Sequence, residues 1–276
     1  MKYDLIIDSR PSEVVIALLR DGLLIELHKE KHDNNYSAGD IYLGKVRKTT
    51  PGLNASFVNI GYEKDGFLHY LDLGPQFNSL KNFTRKAIDQ KLNTASLKNI
   101  KKTKNLEKDG KINDVLNGGD LILTQISKEP ISTKGPRLTS EISLAGRYMI
   151  LIPFSEKVSI SQKIDDNTEK SRLKNLVKSI RPSGFGVIIR TVATGKKVAE
   201  LDRDLKNLYK KWQIISKKLK GAKPNTKILG ELNRSSAILR DLLSAKFNNI
   251  HVSSAEVKEE LKEYLSGISP EQEKIV

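Results

Sequence analysis

The sequence predicts an α+β chain of several subdomains, one of them a small antiparallel barrel. Three observations lead there. Between Asp40 and Leu68, glycine punctuates short β-rich runs: Ile41-Tyr42-Leu43-Gly44-Lys45-Val46, Ala55-Ser56-Phe57-Val58-Asn59-Ile60-Gly61 and Asp65-Gly66-Phe67-Leu68. Upstream, two apolar runs flank Asp21-Gly22, a favoured tight-turn pair, so residues 13–29 read as a hairpin. Further on, Leu201, Leu205, Leu208, Trp212 and Ile215 recur at helical spacing and predict a long amphipathic helix over 197–219.

The other elements follow in order. Residues 5–8 are a short apolar strand, and 30–38 a polar boundary before the β-rich segment 39–75. Residues 80–113 hold ten Lys and Arg against three Asp and Glu, with many Asn and Thr. That stretch reads as a long, mobile basic insertion, either a solvated loop or an auxiliary RNA contact. A strand over 120–126 leads into a basic loop, 128–137, with Lys134-Gly135-Pro136 at its tip. Tyr148-Met149-Ile150-Leu151-Ile152-Pro153 is a buried strand. Residues 168–179 are a helix with Leu173, Leu176 and Val177 on one face, and 187–189 a strand running into Arg190-Thr191. Helices over 235–244 and 254–266 flank a short strand at 249–252, with Gly267 as the last helix's cap. No internal repeat is present.

Composition narrows the function. The 276 residues allow roughly two domains of ordinary size. A formal charge of +15 implies a polyanionic partner, either nucleic acid or an anionic membrane surface. No stretch approaches the ~20 apolar residues of a membrane span. The start, Met1-Lys2-Tyr3-Asp4, argues against a signal peptide. Without cysteine there is no disulfide, thiolate zinc site or cysteine nucleophile, which fits a reducing cytoplasm.

Catalytic patterns are largely missing. There is no Walker-type glycine loop and no His-Glu-x-x-His, and His28, His32, His69 and His251 are scattered. Asp165-Asp166 is either a metal-binding pair or a polar turn before a helix. The aromatics say more. In a small barrel, Tyr42, Phe57 and Phe67 stand either in the core or on one face, as stacking platforms for bases with cations tracking the phosphates. If Val58, Ile60 and Leu68 point one way, Phe57 and Phe67 reach the ligand face. Arg190-Thr191, at a strand end before the Gly195 turn, pairs a guanidinium fork with a hydroxyl, which suits a phosphate, and the Gly195 turn would bring further backbone N–H groups.

These residues resemble the bacterial endoribonucleases RNase E and RNase G. The resemblance runs through the barrel motifs, Gln125-Ile126-Ser127-Lys128-Glu129, Lys134-Gly135-Pro136-Arg137-Leu138-Thr139, Ile142 to Tyr148, Ile160-Ser161-Gln162-Lys163-Ile164, Gly186 to Val192, and Trp212. It implies an RNase H-like subdomain split between residues 1–37 and 236–276. Between those parts it implies an S-one-type OB-fold RNA-binding barrel at 38–140, with the basic insertion at about 76–113, and an α/β 5′-monophosphate sensor at 141–235. Phe57 and Phe67 then match RNA-stacking aromatics, and Lys128 and Lys134 basic residues beside the RNA channel. Arg190 and Thr191 match the 5′-phosphate pair, with the backbone from Gly146 to Ile150 lining that pocket. Gln162 stands where the family often has arginine.

The family's catalytic domain carries two aspartates that hold Mg²⁺ and a Cys-Pro-x-Cys zinc link between protomers, and neither pattern occurs in this chain. The expectation is therefore the RNA-binding half of a single-strand endoribonuclease, inactive alone. Mg²⁺, structural Zn²⁺ and homo-oligomerisation belong to the full-length enzyme. The alternatives are a free-standing single-stranded RNA-binding protein, and an enzyme using Asp165, Asp166 or Asp241.

Overall fold

The chain forms two units, the second inserted in sequence into the first: Met1–Asn35 with Leu232–Val276, and Tyr36–Glu231. The computed structural model describes all residues except 1, 11, 32–35, 93, 94, 99, 101, 102, 232, 233, 243–246 and 269. His32, part of the 30–38 boundary and the end of the helix expected over 235–244 lie outside the described residues.

The first unit opens with an antiparallel meander, β1 (Tyr3–Ser9), β2 (Glu13–Arg20) and β3 (Leu23–Lys31). Asp21 and Gly22 both have positive φ, 50° and 80°, so the two-residue loop matches the twist of the hairpin. Leu5, Ile7, Ile16 and Leu18 alternate onto a buried face.

The second unit begins with the barrel: β4 (Ile41–Thr50), β5 (Ala55–Asn59), β6 (Gly66–His69), β7 (Leu121–Lys128) and β8 (Arg137–Thr139). The strands run in the order β4-β5-β6-β8-β7, and β4 also pairs with β7, which closes the ring. Strand alternation sorts the side chains. Tyr42, Val46, Val58, Leu68, Ile122 and Ile126 fill the barrel. Ile41, Leu43 and Leu123 point outward into a second core.

The insertion between β6 and β7 corrects the reading of 80–113 as a loop. It opens with helix α1 (Phe77–Ile88), whose Phe77, Leu80, Phe83 and Ala87 are buried. Downstream, Ile112 and Leu116 join the barrel core, and Asn54 ties the segment down. Its amide donates to the Gly110 carbonyl (3.0 Å) while its side-chain oxygen accepts from Ile112 N–H (2.7 Å). Of the ten cations of 80–113, Lys81, Arg85 and Lys86 lie on α1, with Arg85 and Lys86 exposed and Lys81 paired with Asp120 (2.7 Å), and the other seven follow the helix in sequence.

A second sheet follows: β9 (Leu144–Ala145), β10 (Met149–Pro153), β11 (Val158–Ile160) and β12 (Phe185–Ile189), in the order β11-β12-β10-β9. Helices α2 (Asn167–Ile180) and α3 (Val198–Leu219) pack against it. Trp212 is fully buried on α3 against Phe83, Phe154 and Phe185, and its indole N–H donates to the Ala95 carbonyl (2.9 Å). Strand β13 (Thr226–Leu229) then returns to pair with β4. Asp40, buried at the start of β4, holds it there through the Lys227 ammonium (2.6 Å) and Glu231 N–H (2.8 Å).

The chain completes the first unit with α4 (Arg234–Leu242), β14 (Phe247–Val252) and α5 (Ala255–Ile268). β14 lies parallel to β1, and Leu239, Leu261 and Leu265 cover the buried face of the sheet. Gly267 lies inside α5 rather than capping it, which corrects the sequence expectation. The chain is of mixed α+β class, and its second unit contains a closed, OB-like five-stranded barrel.

Candidate nucleic-acid interface

Two surfaces of the second unit gather the sequence-predicted residues. On the barrel, Phe57 of β5 lies directly opposite Phe67 of β6. Their neighbours Val58 and Leu68 point inward, so period-two alternation sends both phenyl rings outward. Both are half-buried, with ring centres 5.9 Å apart and planes at 72°. Lys48 pairs with Phe57 across the strands, its ammonium 5.3 Å from the ring centre. On the other flank Arg137 pairs with Phe67 and forks onto Asp72, with Nη2 2.9 Å and Nε 3.1 Å from one carboxylate oxygen.

Lys128 and Lys134 are exposed on the adjoining hairpin. Backbone bonds between Ile131 and Lys134 close its tip, and Lys64 donates to the Thr133 carbonyl (2.8 Å). Gly135 lies so close to the Asp65 backbone that a Cβ would overlap the Asp65 carbonyl oxygen. The basic 128–137 loop is thus docked beside the β5–β6 turn, and its lysines share an edge with the phenyl pair.

Tyr42 does not belong to this face. It is 3% exposed, stacks on Tyr36 at 5.4 Å inside the barrel, and approaches Asp40 with its hydroxyl. Burial, with the Asp40 carboxylate beside it, pushes its phenol above the ordinary range. Its assignment as a base-stacking residue is corrected, because alternation along β4 turns it inward.

The second surface lies at the end of β12. The Arg190 guanidinium donates to the Gly146 carbonyl through Nη1 (2.9 Å), and the exposed Thr191 hydroxyl meets that of Ser161 at 2.9 Å. Gly146 and Ile150 flank the turn into β10. The N–H groups of Arg147, Tyr148 and Met149 all donate to Asp204 on α3, at 3.1, 2.9 and 3.0 Å, and Gly146 N–H donates to Met149 O. A Cβ at Gly146 would lie 2.7 Å from the Asp204 carboxylate, so a larger residue there would push that carboxylate off the N–H groups it accepts from. Asp204 is 8% exposed, and burial raises its pKa despite the three N–H donors.

The Gly195 turn is also engaged internally. Gly195 N–H donates to Glu169 (2.8 Å), and the N–H groups of Ala193, Thr194 and Lys196 close the loop on itself. That corrects the expectation that this turn offers spare backbone donors. Glu169 also pairs with Arg172 (2.6 Å), which with the Gly195 N–H lowers its pKa to about 2. Arg172 in turn donates to the Lys196 carbonyl (3.2 Å). An anion here would therefore meet side chains, the Arg190 fork and the Thr191 and Ser161 hydroxyls, more than backbone. Gln162 and Lys163 follow Ser161 and are exposed.

Asp166 caps α2, its carboxylate accepting Thr168 N–H (2.8 Å), so the Asp165-Asp166 pair is a turn before a helix. Asp241 pairs with Arg240. His28 contacts Glu26, and His69 accepts Leu71 N–H. Asp204 and Glu169 went unnoticed in the sequence. A signal for Asp204 was present: it occupies a buried position of the α3 stripe, between Leu201 and Leu208.

Residues 143–276 match the family model described as "Ribonuclease E/G family". Over 271 residues the chain is 31% identical to "Ribonuclease G" of Escherichia coli (strain K12), covering 98% of this chain and 52% of that protein. It is 31% identical to "Ribonuclease G" of Haemophilus influenzae, covering 97% of this chain and 51% of that protein. Against "Ribonuclease E" of a Nostoc species it is 34% identical, covering 85% of this chain and 30% of that protein. The chain spans about half the length, or less, of these curated relatives.

Proposed function

Because this chain belongs to the ribonuclease E/G family, we propose that it is the RNA-binding half of a single-strand endoribonuclease acting in RNA processing and decay in the cytoplasm. One observation carries the reading: two contacting phenyl rings on the outside of a closed barrel, flanked by Lys48 and Arg137 and by a docked basic hairpin. Bases stack on such rings regardless of sequence, and the cations follow the phosphates. The first unit corresponds in this reading to the RNase H-like part. The Arg190, Thr191 and Ser161 cluster would receive a 5′-monophosphate, a compact dianion suited to one guanidinium fork and a hydroxyl pair. Among the described residues no helix is long and apolar enough to cross a membrane.

The metals expected of the full-length enzyme find no fit here. The chain has no cysteine for a zinc link, and among the described residues no three His, Asp or Glu converge as a metal site.

The sensor reading is tested by binding one oligonucleotide with a 5′-monophosphate, a 5′-triphosphate or a 5′-hydroxyl end to wild type, Arg190→Ala and Gln162→Arg. The monophosphate should bind best, Arg190→Ala should abolish the preference, and Gln162→Arg should strengthen it. Equal affinity for monophosphate and hydroxyl ends in all three proteins refutes the assignment.

A further inference from the structure

Away from both surfaces, α3 presents a third concentration of charge. From Leu205 to Gly230 the chain contains eight lysines and no Asp or Glu. Lys206 pairs with Asp202 (2.6 Å) and Lys227 with Asp40 (2.6 Å). Lys210, Lys217, Lys218, Lys220 and Lys223 are exposed and enter no ion pair among the described residues. The C-terminal end of α1 meets this row, since Gly221 N–H donates to the Ile88 carbonyl (3.3 Å). It adds Arg85 and Lys86, likewise exposed and outside any ion pair among the described residues.

Two ordinary explanations fall short. Cations in a last helical turn complement the dipole, but that effect fades within one turn. Lys210 and Lys206 lie about two and a half and three and a half turns before the end of α3. A solvated helix face is normally laced with opposite charges at i,i+4. Here Asp202–Lys206 follows that pattern in the first half of α3, and residues 209–219 contain no Asp or Glu to continue it. What remains is a row of like charge about 20 Å long from Lys206 to Lys220, at 1.5 Å per residue.

The row is distinct from the phenyl pair. α1 packs on β7 and α3 on β13, the strand added to β4, whereas Phe57 and Phe67 stand on the β5–β6 seam across the barrel. It carries no aromatic platform. A membrane surface would engage an apolar face, and the apolar stripe of α3 is buried in the core, with Ile214 as the large apolar side chain exposed among these lysines.

We propose that the solvent face of α3, with the last turn of α1, binds the phosphate backbone of RNA as a second, purely electrostatic site. This rests on the reading that the chain binds RNA. The site reads neither bases nor the 5′ end, so its signature is salt dependence. Each phosphate contact on a single strand contributes about 0.7 to the slope of log affinity against log salt.

The test compares wild type, Phe57→Ala and a Lys210→Gln/Lys217→Gln/Lys218→Gln/Lys220→Gln variant. Each is titrated across a salt series with a 5′-hydroxyl single-stranded oligonucleotide long enough to reach both surfaces. The lysine variant should flatten the slope, by up to about 3 if all four contacts are lost. Phe57→Ala should weaken binding without changing the slope. An unchanged slope in a folded lysine variant overturns the proposal. So does an unchanged slope accompanied by lost binding to vesicles rich in anionic lipid, which would assign the row to a membrane. A flattened slope with Phe57→Ala binding like wild type keeps this site and removes the barrel reading instead.

Discussion

Replacing Phe57 or Phe67 by alanine tests the central claim, because the structure separates the binding cost from the folding cost. Both rings lie outside the hydrophobic core clusters and are half-buried. What each loses within the folded chain is mainly the edge-to-face contact with the other, about 0.5–1.5 kcal/mol. A fully buried phenylalanine such as Phe83 sets the contrast, since truncating it costs about 3–5 kcal/mol. For a bound base, stacking is worth about 1–3 kcal/mol. At 1.4 kcal/mol per tenfold, each substitution should weaken oligonucleotide binding by about 5- to 150-fold.

The assay is fluorescence anisotropy at one fixed salt concentration, with urea denaturation of the same preparations. Because the rings touch, the double variant should lose less affinity than the two single losses added together. Wild-type affinity in well-folded single variants refutes the stacking reading. Unfolding as severe as that of Phe83→Ala refutes it differently, by showing that the rings are core after all.

Three further outcomes are expected. Asp204→Ala orphans three buried N–H groups, at about 1–3 kcal/mol each, so urea denaturation should show a loss of about 3 kcal/mol or more, and discrimination between 5′ ends should vanish in whatever remains folded. Glu169 has a folded-state pKa of about 2 against an ordinary 4.5, so its stabilisation is present above pH 4.5 and lost as pH falls through 2; the urea midpoints of wild type and Glu169→Gln should separate above pH 4.5 and converge in acid. The chain alone should leave single-stranded, AU-rich RNA intact in Mg²⁺, and metal-dependent cleavage that disappears on mutating Asp165 or Asp241 would refute this.

The sequence made the barrel legible because period-two alternation is local. Val58 beside Phe57, and Leu68 beside Phe67, already imply opposite faces. It did not settle Tyr42, since the orientation of β4 depends on how β7 and β13 flank it, and those pairings span about 80 and 180 residues. Helix α1 was hidden for a different reason. Its apolar positions Phe77, Leu80, Phe83 and Ala87 keep helical spacing, but cations, Asn and Thr dominate the count over 80–113. In the candidate sites, Arg190 and Thr191 were visible as types suited to phosphate. Their supports Asp204 and Glu169 were not, because a carboxylate's role in holding backbone N–H groups appears only when distant loops converge on it.

The insertion that composition marked as a loop is what joins the two candidate surfaces. Outward residues of the barrel, Ile41, Leu43 and Leu123, share one core with α1, the second sheet and α3. Phe83 on α1 lies 5.0 Å from the Trp212 ring, which also meets Phe154 and Phe185 from the second sheet. The Trp212 N–H is anchored to the Ala95 carbonyl on the insertion itself. Close-packed interiors of this kind resist deformation, so the distance between the phenyl pair and Arg190 is set by the core and not by a linker. Under the proposed function, an RNA strand that reaches both places would meet a preformed spacing. The second contact would then form at an effective concentration fixed by the protein, so that the proposed stacking and the proposed phosphate clamp would reinforce one another without any new interaction.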